Sequence, residues 1–189
     1  GSHHLIGGPL PAWVITIGVV GSVMMFIPVV AVAINHHMTM VGHFHKLKSS
    51  PTLRFIVFGA MSYTAVSIQG SLTAIRTINE TVHFTHYTVA HAHLGVYSFF
   101  TMSMFAAVYY ITPRLTGREW SSARLIKIHF WTVAVGMAIY WIGLTAGGIL
   151  QGMDMNDPAV PFMDIVGDTI PWLFSRSVAG VLMTIGHVA

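Results

Sequence analysis

The sequence predicts an all-α membrane protein with about five transmembrane helices. Of its 189 residues, 54% are hydrophobic and only 8% are charged, a balance that a soluble surface does not have. Several charge-free apolar runs also reach the roughly 20 residues that a helix needs to cross a bilayer. The 9 Lys and Arg residues are too few and too scattered to follow a phosphate backbone, which excludes nucleic-acid binding. The expected surroundings are a lipid bilayer.

Four runs are long enough to span, and a fifth is short. The predicted spans cover residues 10–34, 55–75, 87–112 and 130–150. Pro28 is tolerated in the first span as a kink, and Pro113 is expected to end the third. The last apolar run begins after Arg176 and reaches Ala189 after 13 residues, which is too few to span. We therefore expect residues 1–189 to be a single transmembrane segment of a longer polypeptide, truncated at both ends.

The loop charges predict the orientation. Seven of the nine basic residues are assigned to the loops after the first and third spans: Lys46, Lys48, Arg54, Arg114, Arg118, Arg124 and Lys127. Such basic loops face the cytoplasm. The loop after the fourth span is acidic and is expected to face outward. His3 and His4, before the first span, and His91 and His93, at the start of the third, are then all expected near the outer face at similar depth.

Histidines are the candidate metal ligands, because the chain has 12 His and no Cys. Residues i and i+2 of a helix point about 200° apart, so His91 and His93 must serve opposite faces of the third span. Two planar cofactors, each with one imidazole on its iron, suit that arrangement; interhelical hydrogen bonds are the alternative. The adjacent His3 and His4 are able to face one copper, zinc or iron ion, but a third ligand must come from elsewhere. A tag remnant or a solvated loop is the alternative for this pair.

The other polar residues carry weaker signals. His83 and His86 precede His91 in the outer loop, where they are candidates to bond cofactor carboxylates. Gln69 lies within the second span and needs a partner inside the bundle. His129 and His187 stand alone near helix ends and receive no site. A solvated loop at the cytoplasmic face is expected to hold four more histidines: His36, His37, His43 and His45.

Several sequence motifs together resemble subunit I of the haem-copper oxidase superfamily, and most closely its cbb3-type cytochrome c oxidases. The resemblance extends over essentially all 189 residues and would cover the eighth to twelfth helices, the C-terminal part of a twelve-helix core. The motifs are Gly1-Ser2-His3-His4, Ile34-Asn35-His36-His37, Ser50-Pro51-Thr52-Leu53-Arg54, His83-x-x-His86-Tyr87-Thr88-Val89-x-His91-x-His93 and Tyr109-Tyr110-Ile111-x-Pro113-Arg114-Leu115.

The resemblance implies a site. His3 and His4 would be two of the three copper ligands, His91 the axial ligand of high-spin haem b3, and His93 an axial ligand of low-spin haem b. His83 and His86 would lie near the haem propionates. The third copper histidine, the second haem b histidine and a tyrosine used in oxygen cleavage would belong to earlier helices of the core.

The implied function is that of the catalytic subunit of a terminal oxidase in the bacterial inner membrane. It would reduce dioxygen to water with electrons from cytochrome c, delivered by partner subunits that carry c-type haem, and would translocate protons. The four histidines of the site, His3, His4, His91 and His93, would lie toward the periplasm. One departure concerns protons: many cbb3-type enzymes have a glutamate where this chain has Gln69, and a Gln cannot hold or release a proton.

Two alternatives are kept. Nitric oxide reductase shares the fold but replaces copper with non-haem iron, and it carries a glutamate shortly before a proline in the helix after the His pair. The matching stretch here is Met24-Met25-Phe26-Ile27-Pro28, and the missing carboxylate favours copper. A non-catalytic membrane cytochrome of the b type, or a metal transporter, would instead need matched histidine pairs or acidic residues through the bilayer. The middle of every span is nearly free of them.

Overall fold

The structure, a computed structural model, describes the backbone of residues 2–189 and the side chains of residues 4–189. This part of the chain is helical and contains no strand. Short 3₁₀ turns cover Ser2–Leu5 and Phe44–Lys48, and a π-helical segment, Leu94–Thr101, joins α5 to α6. The α-helices are α1 (Ala12–Met24), α2 (Phe26–Met40), α3 (Pro51–Thr73), α4 (Arg76–Val82), α5 (His86–His93), α6 (Met102–Thr116), α7 (Ala123–Met155) and α8 (Phe162–Val188).

Four helical stretches of the described residues are long and apolar enough to cross a membrane. They are Ala12–Met40, Pro51–Thr73, His86–Thr116 and Ala123–Met155. The prediction of an all-α membrane protein is therefore confirmed, and each of the four full-length predicted spans corresponds to one of these stretches. The long helix α8 adds a fifth element, which packs along α7 in the most extensive helix pair of the fold.

Two spans begin earlier than predicted because a serine caps each of them. Ser50 accepts a hydrogen bond from the backbone N–H of Leu53 at 3.2 Å, and Ser122 accepts one from Leu125 at 3.3 Å. A serine at this position satisfies one of the free N–H groups of the first helical turn. As a result Arg54, which we assigned to the loop, lies in the first turn of α3.

Prolines act differently in the first and third spans. Pro28 cannot donate to the carbonyl of Met24, where α1 ends, and a break at Met25 separates α1 from α2. The predicted end of the third span at Pro113 is wrong. Helix α6 continues through Pro113 to Thr116 and ends at Gly117, whose φ of +67° closes the helix in the left-handed conformation.

The helix that contains the last apolar run is longer than the run itself, because α8 already begins at Phe162. A charge-free run was the wrong criterion for a helix that buries only one face. Asp164 and Asp168 point outward, whereas Ile165 and Thr169 are buried against the bundle.

The face of α8 that is turned toward α7 fits against glycines of α7. Ser175 lies against Gly143, and Trp172 lies against Gly147. A side chain on either glycine would hold the helices apart, so small residues set this close approach.

Candidate haem and metal site

Helix α5, which carries both candidate ligands of the third span, is held firmly at its beginning. Thr85 caps the helix by accepting a hydrogen bond from the backbone N–H of Tyr87 at 3.3 Å. The residue before the cap, Phe84, has a φ of +61°, a conformation that is uncommon for a bulky side chain. The side chain of Gln151 on α7 accepts from the backbone N–H of His86 at 2.9 Å. These bonds fix the start of α5 against α7.

His4 and His91 come together although they are far apart in the sequence. Their ring centroids lie 5.5 Å apart, with the ring planes tilted by 42°. His91 is buried, with 8% of its surface exposed. Desolvation lowers the pKa of His4 below its ordinary value, which favours the neutral imidazole that binds metals. The side chain of His3 lies outside the described residues.

The two rings border a small cavity of about 210 Å³. His83 lines it as well, and its Nε2 atom is buried without a hydrogen-bond partner among the described residues. Gly7 lies directly against the His83 ring, where a larger side chain would clash. The remaining lining residues are Thr73, Asn79, Val82, Phe84 and Thr88. Three imidazoles therefore surround one cavity, although no group of three His, Asp or Glu side chains among the described residues is close enough together to hold a metal.

His93 serves the other face of the helix. Its ring lies 4.8 Å from that of Tyr140 on α7, and its Nδ1 is 2.9 Å from the carbonyl oxygen of Val89. A carbonyl only accepts, so Nδ1 is the donor, and Nε2 is the ring nitrogen left for a metal. Metal-binding histidines commonly have this arrangement, in which a backbone carbonyl orients the ring.

His86 does not line the cavity. Of the two histidines that we expected near cofactor carboxylates, only His83 borders the cavity beside His91. His86 instead belongs to the junction with α7, through its backbone bond to Gln151.

The donor chemistry fits haem iron and copper, because each candidate group is an imidazole and the chain has no thiolate. The surroundings of His93 also leave room for a haem, because the His93 side chain is exposed on the surface of the bundle. The cavity at His91 is smaller than a haem. Haem binding there requires His4, which borders the cavity, to lie further from His91.

Directly after the two candidate ligands the helix widens into the π-helical segment Leu94–Thr101. Such segments are rare and occur frequently at functional sites. The hydroxyl of Thr101 donates to the carbonyl of Val96, five residues earlier, at 2.9 Å. No feature of the sequence indicated this segment.

The structure gives Gln69 the partner that it needs inside the bundle. Its Oε1 accepts a hydrogen bond from the indole N–H of Trp141 at 3.0 Å, and its amide nitrogen donates to the hydroxyl of Thr145 at 3.4 Å. Both partners belong to α7, so Gln69 joins the second span to the fourth.

Gln69→Leu is expected to lower the free energy of unfolding by about 1–2 kcal/mol, because it leaves the N–H of Trp141 without its acceptor. Thermal unfolding of the full-length protein in detergent measures the loss. Gln69→Glu is the matched control, since a carboxyl group keeps an oxygen for Trp141. Equal unfolding midpoints for Gln69→Leu and the original protein would contradict the bridging role.

A second histidine cluster was missed because its members are separate in the sequence. The ring centroids of His129 and His187, to which we assigned no site, lie 5.3 Å apart. The hydroxyl of Tyr109 is 2.7 Å from Nδ1 of His129, and that of Tyr97 is hydrogen-bonded to Nε2 of His187. Since these residues lie on separate helical elements, only packing brings them together.

Comparisons with known proteins identify the family to which the sequence is similar. The family model described as cytochrome c and quinol oxidase polypeptide I matches residues 1–182. A cbb3-type cytochrome c oxidase subunit CcoN1 from Stutzerimonas stutzeri is 33% identical over 98% of this chain and 41% of its own length. A cytochrome c oxidase subunit 1 from Rhodobacter capsulatus is 32% identical over 98% of this chain and 36% of its own length. A nitric oxide reductase subunit from Stutzerimonas stutzeri is 28% identical over 67% of this chain and 28% of its own length.

The chain thus spans about two fifths of the length of the first two relatives. The family resemblance inferred from the histidine motifs is confirmed, and the match extends over nearly the whole length of the chain. With an all-helical membrane fold and a family match from the first residue to residue 182, this chain belongs to the cytochrome c and quinol oxidase polypeptide I family.

Proposed function

We propose that this chain is part of the catalytic subunit of a terminal respiratory oxidase, which reduces dioxygen to water with electrons from cytochrome c and translocates protons. The observation that carries the proposal is that His4 and His91 border one cavity, while His93 lies on the opposite face of the same helix beside Tyr140. An oxygen-reducing centre needs two metals close together and a third cofactor nearby that supplies electrons. The histidine positions match that requirement.

Each histidine has a stated role in the proposal. His3 and His4 hold copper, His91 holds the iron of haem b3, and His93 holds the iron of haem b. When bound, these metals supply the one-electron steps that dioxygen reduction requires. His83, beside His91, is placed to donate to a haem carboxylate, whereas His86 lies outside this cavity at the junction with α7.

The protein contributes rigidity and orientation. His91 and His93 belong to one short helix, so the distance between the two cofactors that they hold is set by a single rigid element. The bond from His93 Nδ1 to Val89 directs its Nε2 outward and fixes the ring. Gln69, which joins α3 to α7, holds the helices but exchanges no proton at neutral pH.

Assembly requires partners beyond this chain. The remaining helices of subunit I supply the third copper ligand and the second ligand of haem b, and c-type haem subunits deliver electrons. The basic loops at the far end of the bundle support an inner-membrane orientation in which the four site histidines face the periplasm.

Nitric oxide reduction is the second candidate, because a nitric oxide reductase subunit is among the relatives. The stretch that carries an iron-binding glutamate in that enzyme is Met24-Met25-Phe26-Ile27-Pro28 here. It lies at the break between α1 and α2 and contains no carboxylate. Imidazole-only donors suit copper better than non-haem iron, which supports the oxidase.

Metal analysis of the purified full-length complex distinguishes the candidates. Mass spectrometry of the metals, combined with reduced-minus-oxidised haem spectra, is expected to find two b-type haems and one copper, with carbon monoxide binding to one of the b-type haems. Replacing both His3 and His4 with alanine is expected to remove the copper and leave the haem b spectrum in place. Iron in excess of haem without copper would establish the reductase instead, and the absence of b-type haem would refute both candidates.

A further inference from the structure

A groove of about 720 Å³ lies between α3 and α7, on a part of the molecule that the proposed oxygen chemistry does not use. It begins at the basic end of the bundle, which we define as the end formed by the loops before α3 and before α7. From there it runs along both helices toward the middle of the membrane. Its wall is apolar and includes Val57, Phe58, Met61, Trp131 and Ala138.

Three cations stand at the mouth of the groove: Lys48, Arg54 and Lys127. Lys48 precedes α3, Arg54 lies in its first turn, and Lys127 lies in the second turn of α7. The three charges therefore occupy one level of the membrane, where the apolar walls begin. A site with cations above and apolar walls below matches a ligand that is anionic at one end and apolar at the other.

Arg54 lies partly buried and needs a counter-ion. Its guanidinium carbon is 5.8 Å from the centre of the Phe130 ring, and its Nε is buried with no hydrogen-bond partner among the described residues. A charge withdrawn from water in this way is costly unless an anion compensates it. Of the six acidic residues only Glu119 belongs to the loops at this end, and it lines a separate groove beside Tyr109.

We propose that this groove binds an anionic diacyl phospholipid of the phosphatidylglycerol class. The headgroup phosphate binds Arg54 with Lys48 and Lys127, and an acyl chain lies along the apolar wall toward Ala138. Guanidinium groups match the oxygens of phosphate in geometry as well as charge. Basic pockets between membrane helices on the cytoplasmic side are suited to such headgroups. The proposal is independent of the reaction that the complex catalyses.

Native mass spectrometry of the full-length complex in detergent tests the site with two probes, palmitoyl-oleoyl phosphatidylglycerol and palmitoyl-oleoyl phosphatidylcholine. We expect the complex to bind the phosphatidylglycerol at least tenfold more tightly. Arg54→Gln combined with Lys127→Gln is expected to weaken phosphatidylglycerol binding by about tenfold or more, since each basic residue near the surface contributes about a factor of five. Binding of phosphatidylcholine is expected to change little.

The matched control is Arg118→Gln combined with Arg124→Gln, which removes the same charge from exposed positions at the same end but outside the groove. Its phosphatidylglycerol binding is expected to stay within twofold of the original. A second variant, Ala138→Trp, fills the acyl part and is expected to weaken binding with all three cations in place. If the Arg54 double variant fails to assemble, the Ala138→Trp variant and the lipid preference of the unmodified complex decide whether the groove binds phosphatidylglycerol.

Three results would overturn the lipid site. They are equal affinity for the two lipids, equal losses in the Arg54 and Arg118 double variants, and no lipid retained because another part of the complex covers the groove. Since the readout is lipid mass, a failure here is separate from a failure to find copper or b-type haem.

Discussion

His91→Ala in the full-length complex is expected to abolish carbon monoxide binding by the b-type haem and to lower oxygen consumption by more than about 100-fold. Changes to groups that merely orient a metal-binding histidine already cost 10–100-fold, and this variant removes the proposed ligand itself. His91 is also buried, with its ring beside that of His4. Carbon monoxide difference spectra and oxygen electrode rates measure the two losses.

A second substitution tests the role of the opposite face of α5. His93→Ala is expected to remove the low-spin haem b spectrum, while carbon monoxide still binds at the His91 side. His45→Ala, in the exposed loop at the opposite end of the bundle, serves as the control and should change neither spectrum. If His91→Ala keeps carbon monoxide binding and normal turnover, the assignment of His91 as the oxygen-side ligand is wrong.

Gly148→Ala is expected to disrupt the site without touching a ligand. A Cβ atom at Gly148 would lie 2.0 Å from the backbone nitrogen of Tyr87 and 2.7 Å from its Cα, at the start of the helix that carries His91 and His93. The obstacle is backbone, so it cannot rotate away, and α5 must move off α7. We expect the free energy of unfolding to fall by about 3 kcal/mol, the upper part of the range for overpacking. Oxygen consumption is expected to fall by about 100-fold, as displacements near 1 Å commonly produce.

The control for this substitution is Gly180→Ala on α8, where an added Cβ meets no atom within 4 Å. This variant is expected to keep the original haem spectra and unfolding midpoint. Thermal unfolding followed by the absorbance of the b-type haems provides both measurements in one experiment. Normal stability and turnover in Gly148→Ala would show that α5 and α7 do not approach each other this closely.

The histidine motifs were enough to predict the family, but they did not reveal the second histidine cluster. His91 and His93 had to face opposite sides because the angle between them follows from helix geometry alone. By contrast, His129 and His187 carried no signal, since each is isolated in its own segment. Their association depends on how α7 and α8 rotate about their axes, which hydropathy does not report.

The helix boundaries were likewise predicted only in part from the sequence. The four spans followed from the length of apolar runs, because backbone groups inside a bilayer must be satisfied within the helix. The extension of α6 beyond Pro113 did not follow. The carbonyl of Tyr109, which that proline leaves without its helical donor, accepts instead from the indole N–H of Trp120 at 3.2 Å. Such a contact depends on the path of the following loop and is invisible in a local pattern.

Local patterns in the chain thus determined the membrane class and the four spans, and they supplied the choice of candidate ligands, because each depends on hydropathy or helical periodicity over a few residues. Tertiary structure alone decided that His4 lies against His91, that Gln69 reaches Trp141, and that three cations surround one apolar groove. The physical reason is that these contacts join helices whose rotation and separation are set by side-chain size at their interfaces. Glycines such as Gly148 fix that separation, and no single segment contains both sides of the contact.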